Sequence, residues 1–558
     1  FHAFNHSRPG RSPAIVTLLH VVMSAILKKL SLFLVALPFM LNGQGHFDLR
    51  FDTASIPGLP GLHSFAVATH EGKWLLIGGR LDGMHQKFGS FGTSSANQQI
   101  RVVDPVSGQL WERALTELPD TLQEQLRSAN MEFVQQGETL LFIGGYGRSE
   151  VAQNHITYPY LTLIDVPGLV DAVKNNSPLQ PHFRQVRDTF FAVAGGQLQV
   201  LADTFYLVGG HRFEGLYSAN SGQNVTQFYT DAIRKFTLGE AAGDIQVTHK
   251  SAVTDELNFH RRDYNLAPQI FQDGSAGLTA FSGVFQPGAV LAPFQNLVEI
   301  RAFGHTPVAG FSQFLANYHC AKVPLFSSSA NEMHTLFFGG MSQYWLDAND
   351  SLIRDNRLPF VKTVSRVSRL ANGSYEEVAF DAELPFFTGT SAEFIPAADV
   401  PVLPRDIVDY DALPDGEVLL GYIAGGIVTP ENQRNPFVAN TVGITSANAL
   451  LIRVFLMKNT SGVSPDKPLS GRFDLDLEIS PNPAAEEWNV RLNMPRAGRL
   501  RCTLQDAQGK IIRQADRGQQ AAGARQFSLP ARDLPSGAYW LTLNVDGIFM
   551  ETKTILKQ

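Results

Sequence analysis

Trp74-Leu75-Leu76-Ile77-Gly78-Gly79 is a short apolar run that stops at two glycines, and it decides the fold because it recurs. The further copies, of which the one at 278–283 is degraded, lie at residues 140–145, 205–210, 278–283, 336–340 and 421–426. An apolar run without polar alternation predicts a strand that is covered on both faces. Glycine tolerates the positive φ of a tight turn after such a strand. Six copies of one strand-and-turn unit predict a repeat architecture.

Each copy follows, some 15 to 22 residues later, a polar and often basic residue that opens another strand. These residues are His63, Arg127, Arg187, Arg262, His319 and Arg405. The first unit continues with a strand at 100–105 that ends in Asp-Pro before Trp111. This order of motifs resembles the kelch repeat. The resemblance implies a six-bladed kelch-type β-propeller over residues 46–457, in which radial repetition protects the sheet edges.

Two features of the propeller prediction concern how the ring is completed. Residues 46–51 alternate apolar and polar, which predicts a half-buried strand that completes the last blade and closes the ring. The long interval at 341–404 is the place where a seventh unit could be hidden.

The composition agrees with a folded, turn-rich, all-β protein. The 558 residues are 44% hydrophobic and 17% charged, with 48 glycines and 31 prolines. A net charge of −7 argues against nucleic acid or an anionic membrane surface as a partner. The two cysteines, Cys320 and Cys502, are predicted to be buried thiols, because they lie in different predicted domains.

The N-terminal region predicts export. Residues 1–22 read as over-extended upstream sequence, and a Sec-type signal peptide follows at 23–45, with two lysines before an apolar run at 30–41. That run is shorter than the roughly 20 residues that a membrane-spanning helix needs, so we expect no transmembrane helix.

After a polar linker at 458–472, residues 473–558 form short alternating strands, which predict a small immunoglobulin-like β-sandwich. Its motifs are a proline pair, a Gly-x-Tyr turn and a lysine-bounded end, namely Pro481, Asn482, Pro483, Gly537, Tyr539, Lys553 and Lys557. They resemble the C-terminal sorting domain of type IX secretion cargo in the Bacteroidetes. The resemblance implies that the type IX translocon is a partner. It also implies a route through the periplasm to the outer cell surface or the medium.

The kelch resemblance also implies where a ligand binds. The six basic residues named above would lie near one mouth of the central channel, where arginines favour carboxylates, sulfates or acidic sugars. The alternative is that these side chains donate hydrogen bonds to loop carbonyls between blades. Arg261 is an alternative to Arg262 in the fourth unit, and spacing does not choose between them.

Catalytic motifs are not found in the sequence. The histidines lack metal-site spacing, and nucleophile-elbow, P-loop and dinucleotide motifs are missing, so we expect neither metal nor cofactor. Cys320 follows Tyr318 and His319, but this trio opens a repeat strand and is interpreted as core. The leading hypothesis is a secreted, non-enzymatic binding or adhesion module for a protein or glycan. The alternative is a carbohydrate-active kelch enzyme, similar to sialic-acid mutarotases or galactose oxidase.

Overall fold

The computed structural model describes residues 47–84, 91–217, 225–241, 243–287, 292–348, 351–435, 444–458, 467–469, 475, 477–494, 498–521, 523–545 and 549–558. The predicted signal peptide at 23–45 and the residues before it lie outside the described residues, as does most of the predicted linker.

The first half of the chain forms three blades of four antiparallel strands each. Strand β1 spans Phe47–Ser55, and blade one contains β2 (Ala66–His70), β3 (Lys73–Ile77), β4 (Gln99–Asp104) and β5 (Gln109–Ala114). Helix α1 (Asp120–Leu126) precedes blade two, whose four strands are β6 (Glu132–Gln136), β7 (Thr139–Ile143), β10 (Tyr160–Asp165) and β11 (Phe183–Arg187). The hairpin β8 (Tyr146–Ser149) and β9 (Asn154–Thr157) is inserted between β7 and β10, and helix α2 (Val166–Asn175) lies between β10 and β11. Blade three contains β12 (Gln197–Leu201), β13 (Thr204–Val208), the hairpin β14 (His211–Glu214) and β15 (Thr226–Tyr229), then β16 (Ala232–Ala241) and β17 (Asp244–Thr254).

The second half adds three more blades. After α3 (Glu256–Phe259), blade four contains β18 (Asn265–Ile270), β19 (Ala276–Phe281), β20 (Val298–Arg301) and β21 (Gly304–Pro307). Blade five contains β22 (Lys322–Ser327), β23 (Glu332–Met341), the hairpin β24 (Tyr344–Leu346) and β25 (Leu352–Arg354), then β26 (Phe360–Arg369) and β27 (Tyr375–Glu383). Blade six contains β28 (Ala392–Pro396), β31 (Glu417–Gly425) and β34 (Leu450–Lys458), with a short hairpin of β32 (Ile427–Val428) and β33 (Ser446–Ala447). Between β28 and β31, the short strands β29 (Val402–Leu403) and β30 (Ile407–Asp409) extend the sheet of blade five, where β30 lies parallel to β22.

The apolar runs that end in Gly-Gly are the second strands of their blades, which confirms the repeat prediction. In blade one, Trp74, Leu75, Leu76 and Ile77 are all buried because blades pack on both faces of the strand. Gly79 has φ +85°, and a Cβ at this position would lie 2.5 Å from the His63 carbonyl oxygen. Only glycine therefore permits this close approach of the backbones.

The N-terminal strand closes the ring, as predicted. Strand β1 pairs antiparallel with β34 from Phe47 opposite Lys458 to Ser55 opposite Leu450, and so becomes the outer strand of blade six. The two ends of the propeller sequence are thereby held in one sheet, which leaves no gap between the first and last blades.

The described residues contain no seventh blade. The interval 341–404, where one could have been hidden, is occupied by the hairpin β24–β25, the last two strands of blade five and the first strand of blade six. The extra length of blade five is therefore a loop hairpin.

The C-terminal residues form the predicted β-sandwich. One sheet contains β36 (Glu478–Ser480), β37 (Glu487–Met494) and β40 (Gly523–Pro530). The other contains β38 (Gly498–Asp506), β39 (Ile511–Gln520), β41 (Gly537–Val545) and β42 (Phe549–Lys557). Alternate residues such as Trp488, Val490 and Leu541 are fully buried between the sheets.

The sandwich packs against blades four and five. Its hydrophobic core includes Phe314, Leu315 and Tyr344 of the propeller. The Gln505 Nε2 atom donates a hydrogen bond of 2.8 Å to Asp255, which joins the two units by a buried polar contact. The short strand β35 (Lys467–Pro468) adds to the outer edge of β27. Among the helices that the structure describes, none is long and apolar enough to cross a bilayer.

Candidate functional site

A closed ring of backbone hydrogen bonds surrounds one end of the central channel. Its members, one from each blade and each just before or at the start of the innermost strand, are Ser64, Asn130, Gly195, Asp263, His319 and Ser391. Each N–H donates to the carbonyl of the ring residue of the preceding blade, at N···O distances from 2.6 to 3.3 Å. We call this end of the propeller the ring face. Because successive strands are antiparallel, the loops between second and third strands also open on the ring face.

Four of the six basic residues predicted for the channel mouth lie close to this ring. His63 and Arg262 directly precede ring residues, and His319 is itself a ring residue. Arg127 lies three residues before the ring residue of blade two and is half-buried. The structure therefore brings these four side chains to the ring face.

The other two predicted residues do not lie at the mouth. Arg187 is the exposed last residue of β11, the outer strand of blade two. Arg405 lies between β29 and β30, in the connection that opens on the opposite face, and its Nη1 donates to the Gly277 carbonyl at 3.4 Å. The structure therefore brings four of the six predicted basic residues to the ring face and leaves Arg187 and Arg405 away from the channel mouth. The sequence spacing misleads because Ala194 and Thr390 occupy the position before the ring residue in blades three and six.

A small cleft between blades one and two collects three arginines on the ring face. This blade 1–2 cleft has a volume of about 10 Å³, which is room for roughly one water molecule. Its charged and aromatic lining consists of Arg80, Phe91, Arg127, Tyr146, Arg148 and Tyr158.

The three arginines of the cleft differ in how their charges are balanced. Arg80 forms a fork with Asp82 at 2.8 and 2.5 Å. Burial opposes ionisation of Asp82, but the nearby His63 imidazole, 3.7 Å away, and the hydrogen bonds from Arg80 lower its pKa. Arg148 contacts Glu150 only at 3.5 Å. Within the described part of the chain, Arg127 has no ion pair, and its buried Nε has no hydrogen-bond partner.

A second guanidinium on the ring face is enclosed by aromatic rings. Arg262 is 9% exposed and lies 4.9 Å from the ring of Phe285 and 5.9 Å from that of Tyr217. Burial alone would lower the pKa of Arg262, but the interactions with Asp263, Tyr217 and Tyr229 together outweigh burial and raise the pKa. Burial and the charge of Arg262 together lower the pKa of His211.

The sequence reasoning missed the contribution of residues that follow the Gly-Gly doublets. Arg80, Tyr146 and His211 each come directly after a doublet. Each forms an antiparallel bridge with the residue that precedes a ring residue, for example Arg80 with His63. The position after each doublet was therefore a usable signal for a residue of the ring face.

Two glutamates with raised pKa values, the buried Glu132 and the half-buried Glu393, lie in innermost strands close to the ring. Glu132 is 1% exposed, and burial raises its pKa to about 8. Its Oε1 accepts a 2.7 Å hydrogen bond from the Gly196 N–H, whereas its Oε2 has no partner. Burial raises the pKa of Glu393 to about 7, and its Oε1 lies 3.4 Å from Nε2 of the ring residue His319.

Burial shows the roles of Arg261 and Cys320, for which the sequence left alternatives open. Arg261 is fully buried, and its guanidinium donates to the carbonyls of Asn258, Ser282 and Asn296, so it supports the loops of blade four. Cys320 is fully buried, and burial raises the pKa of its thiol to about 11, as expected for a core residue. No cluster of three metal-ligating side chains occurs among the residues that the structure describes.

The sorting motifs hold the last strand of the sandwich. The Asn482 side chain donates to the Thr554 carbonyl at 3.2 Å and accepts from the Leu556 N–H at 2.7 Å. Lys553 donates through Nζ to the carbonyl of Leu477. The Tyr539 hydroxyl donates to the Pro535 carbonyl at 2.8 Å. Most of the motif residues therefore have structural contacts within this unit.

The remaining sorting residues lie at the two ends of the same arrangement. Pro481 and Pro483 flank Asn482, and both peptide bonds that precede them are cis. Gly537 is the first residue of β41 and pairs with Lys557 near the chain end.

Comparison with known proteins identifies the family of the C-terminal unit. Residues 478–558 match the family described as "Secretion system C-terminal sorting domain". No curated protein sequence matches the chain. Among solved structures, that of YjhT aligns over 71% of this chain and 96% of its own, with 10% sequence identity and a TM-score of 0.38. The chain is a six-bladed β-propeller followed by a C-terminal sorting domain, and that domain directs export through the type IX secretion system to the cell surface or beyond.

Proposed function

We propose that this protein is a secreted or cell-surface binding module that holds an anionic ligand, such as an acidic glycan, on the ring face. The proposal rests on one observation: Arg127 has a buried Nε without a hydrogen-bond partner and lines the blade 1–2 cleft together with Arg80 and Arg148. A carboxylate or sulfate supplies the acceptors that such a guanidinium needs. Most of the ligand would lie outside this small cleft, with only its anionic group close to Arg127.

Binding to immobilised acidic and neutral glycans tests this function with the full chain. Arg127→Gln should weaken binding to the acidic glycan at least tenfold, since a hydrogen bond to a charged group contributes about 1.5–3 kcal/mol. Arg187→Gln is the matched control, because Arg187 is an exposed arginine at the rim of the same blade. Equal binding by the two variants, or no preference for acidic glycans, would refute the proposal.

The carbohydrate-active enzyme is a second candidate, and one observation favours it. Burial raises the pKa of Glu393 to about 7, and its Oε1 lies 3.4 Å from Nε2 of the ring residue His319. A carboxyl group that titrates near neutral pH is suited to proton transfer. Glu393→Gln should then abolish any interconversion of sugar anomers seen by NMR and leave binding to the Arg127 cleft intact.

A further inference from the structure

A larger cavity lies on the ring face above blades five and six. Its volume is about 470 Å³, within the range of 300–1,000 Å³ that is usual for small-molecule sites. We call it the Trp345–Arg434 pocket, and its walls are formed by Trp345, Ile353, Arg354, Asp355, Arg357 and Arg434. The pocket is built by the hairpin β24–β25, by residues 355–357 that follow it, and by Arg434 of blade six.

The side chains of the hairpin β24–β25 contact two different parts of the molecule, the pocket and the sorting domain. Trp345 is paired with Ile353, and both side chains line the pocket. Neighbouring positions Leu346 and Leu352 pack instead against the core of the sorting domain. Because the sandwich supports one side of the hairpin, the indole and Ile353 on the other side are held in place.

The lining of the pocket is rich in positive charge. It contains three guanidinium groups and one carboxylate. That carboxylate, Asp355, accepts hydrogen bonds of 2.8 and 2.7 Å from the Arg357 guanidinium and one of 2.9 Å from the Arg357 N–H. The guanidinium of Arg434 lies 3.9 Å from the centre of the Trp345 ring. This stacking fixes Arg434 at the wall without neutralising its charge.

We propose that the Trp345–Arg434 pocket binds a sugar ring that carries a carboxylate or sulfate group. The guanidinium groups supply donors for the anionic group, and the buried Trp345 Nε1, which has no hydrogen-bond partner, is a further donor. The indole and Ile353 supply apolar surface for the C–H face of the ring. A compact sugar ring matches a partly open pocket of this volume better than an extended acidic peptide does. The pocket lies on other blades than the Arg127 cleft, so this inference does not depend on the proposed function.

Titration calorimetry on the full chain tests the pocket. The probes are an oligogalacturonate, a sulfated galactose disaccharide, the neutral parent sugar and an acidic peptide. We expect saturable binding of the uronate or the sulfated sugar, at least tenfold tighter than that of the neutral sugar. Whichever of these two anionic probes binds more tightly shows whether the pocket prefers a carboxylate or a sulfate group. Arg434→Gln and Trp345→Leu should each weaken this binding at least tenfold, and Arg434→Lys should weaken it less than Arg434→Gln.

Matched controls separate a binding role from a structural role. Arg517 stacks on Phe527 at a similar distance of 4.0 Å but lies in the sandwich, so Arg517→Gln should leave binding unchanged. Arg127→Gln should also leave it unchanged, whatever that variant does to the blade 1–2 cleft. Any of the following overturns the proposal: equal affinity for neutral and anionic sugars, preference for the acidic peptide, equal effects of Arg434→Gln and Arg517→Gln, or loss of binding in Arg127→Gln. Thermal unfolding of each variant shows whether its fold is retained, and Arg434→Lys supplies the comparison if Arg434→Gln fails to fold.

Discussion

Replacing Glu132 by glutamine should change how the stability of the protein depends on pH. Glu132 is buried in the first strand of blade two, and burial raises its pKa to about 8 from an ordinary value of 4.5. The folded state therefore keeps a proton that the unfolded chain releases between these two values. Unfolding free energy accordingly falls as the pH rises from 4.5 to 8, since the unfolded state binds fewer protons in that range.

The magnitude follows from the size of the pKa shift. One pKa unit corresponds to about 1.4 kcal/mol, so a rise from 4.5 to about 8 corresponds to a loss of about 4–5 kcal/mol. Glutamine does not ionise, and its side-chain oxygen can still accept the 2.7 Å hydrogen bond from Gly196. Glu132→Gln should therefore have nearly wild-type stability at pH 5 and be more stable than the wild type at pH 8.

Thermal and urea unfolding of the full chain between pH 5 and 8.5 measure the difference. The acids Glu377 and Glu393 also have raised pKa values, but they are present in both proteins and cancel. Glu138→Gln is the matched control, because Glu138 is exposed in the turn after the same strand. A parallel pH dependence for the wild type and Glu132→Gln would show that Glu132 does not retain its proton in the folded state.

Three further predictions concern the sorting domain and the cysteines. Gln505→Leu removes the hydrogen bond that the Gln505 side chain donates to the buried Asp255, and it should lower the unfolding free energy by about 1–3 kcal/mol. An unchanged midpoint of urea unfolding would contradict this prediction. Asn482→Ala removes two hydrogen bonds to the last strand and should speed hydrogen exchange there, so unaltered exchange would contradict the assigned role. Burial raises the thiol pKa of both Cys320 and Cys502 to about 11. Neither thiol should therefore react with a disulfide reagent at pH 8 before the protein unfolds, and rapid labelling of the native protein would argue against their burial.

The blade count could be predicted from the sequence because each blade repeats a local constraint. A buried second strand needs consecutive apolar residues, and the turn after it needs glycines, as at Gly78 and Gly79 with φ values of +73° and +85°. Closure by β1 was predictable for a similar reason, since its alternating pattern fits an outer strand. The sorting domain carried its own ordered motifs, so its family could be recognised without the propeller.

The candidate sites depended on distances that repeat spacing does not encode. His63 and Arg262 lie beside ring residues, whereas Arg187 and Arg405 do not, because connections between blades differ in length and route. The Trp345–Arg434 pocket joins two loops that are far apart in the chain, and it was not predicted.

The sequence by itself determined a six-bladed all-β propeller with a C-terminal sorting domain, since strand burial, glycine turns and ordered motifs are local properties. Only the tertiary structure decided which charged side chains meet and which carboxylates neutralise them. It separated Arg80, paired with Asp82, from Arg127, whose Nε is buried without a partner. The physical reason is that pairing and burial depend on contacts between blades and loops, which the repeat pattern does not specify.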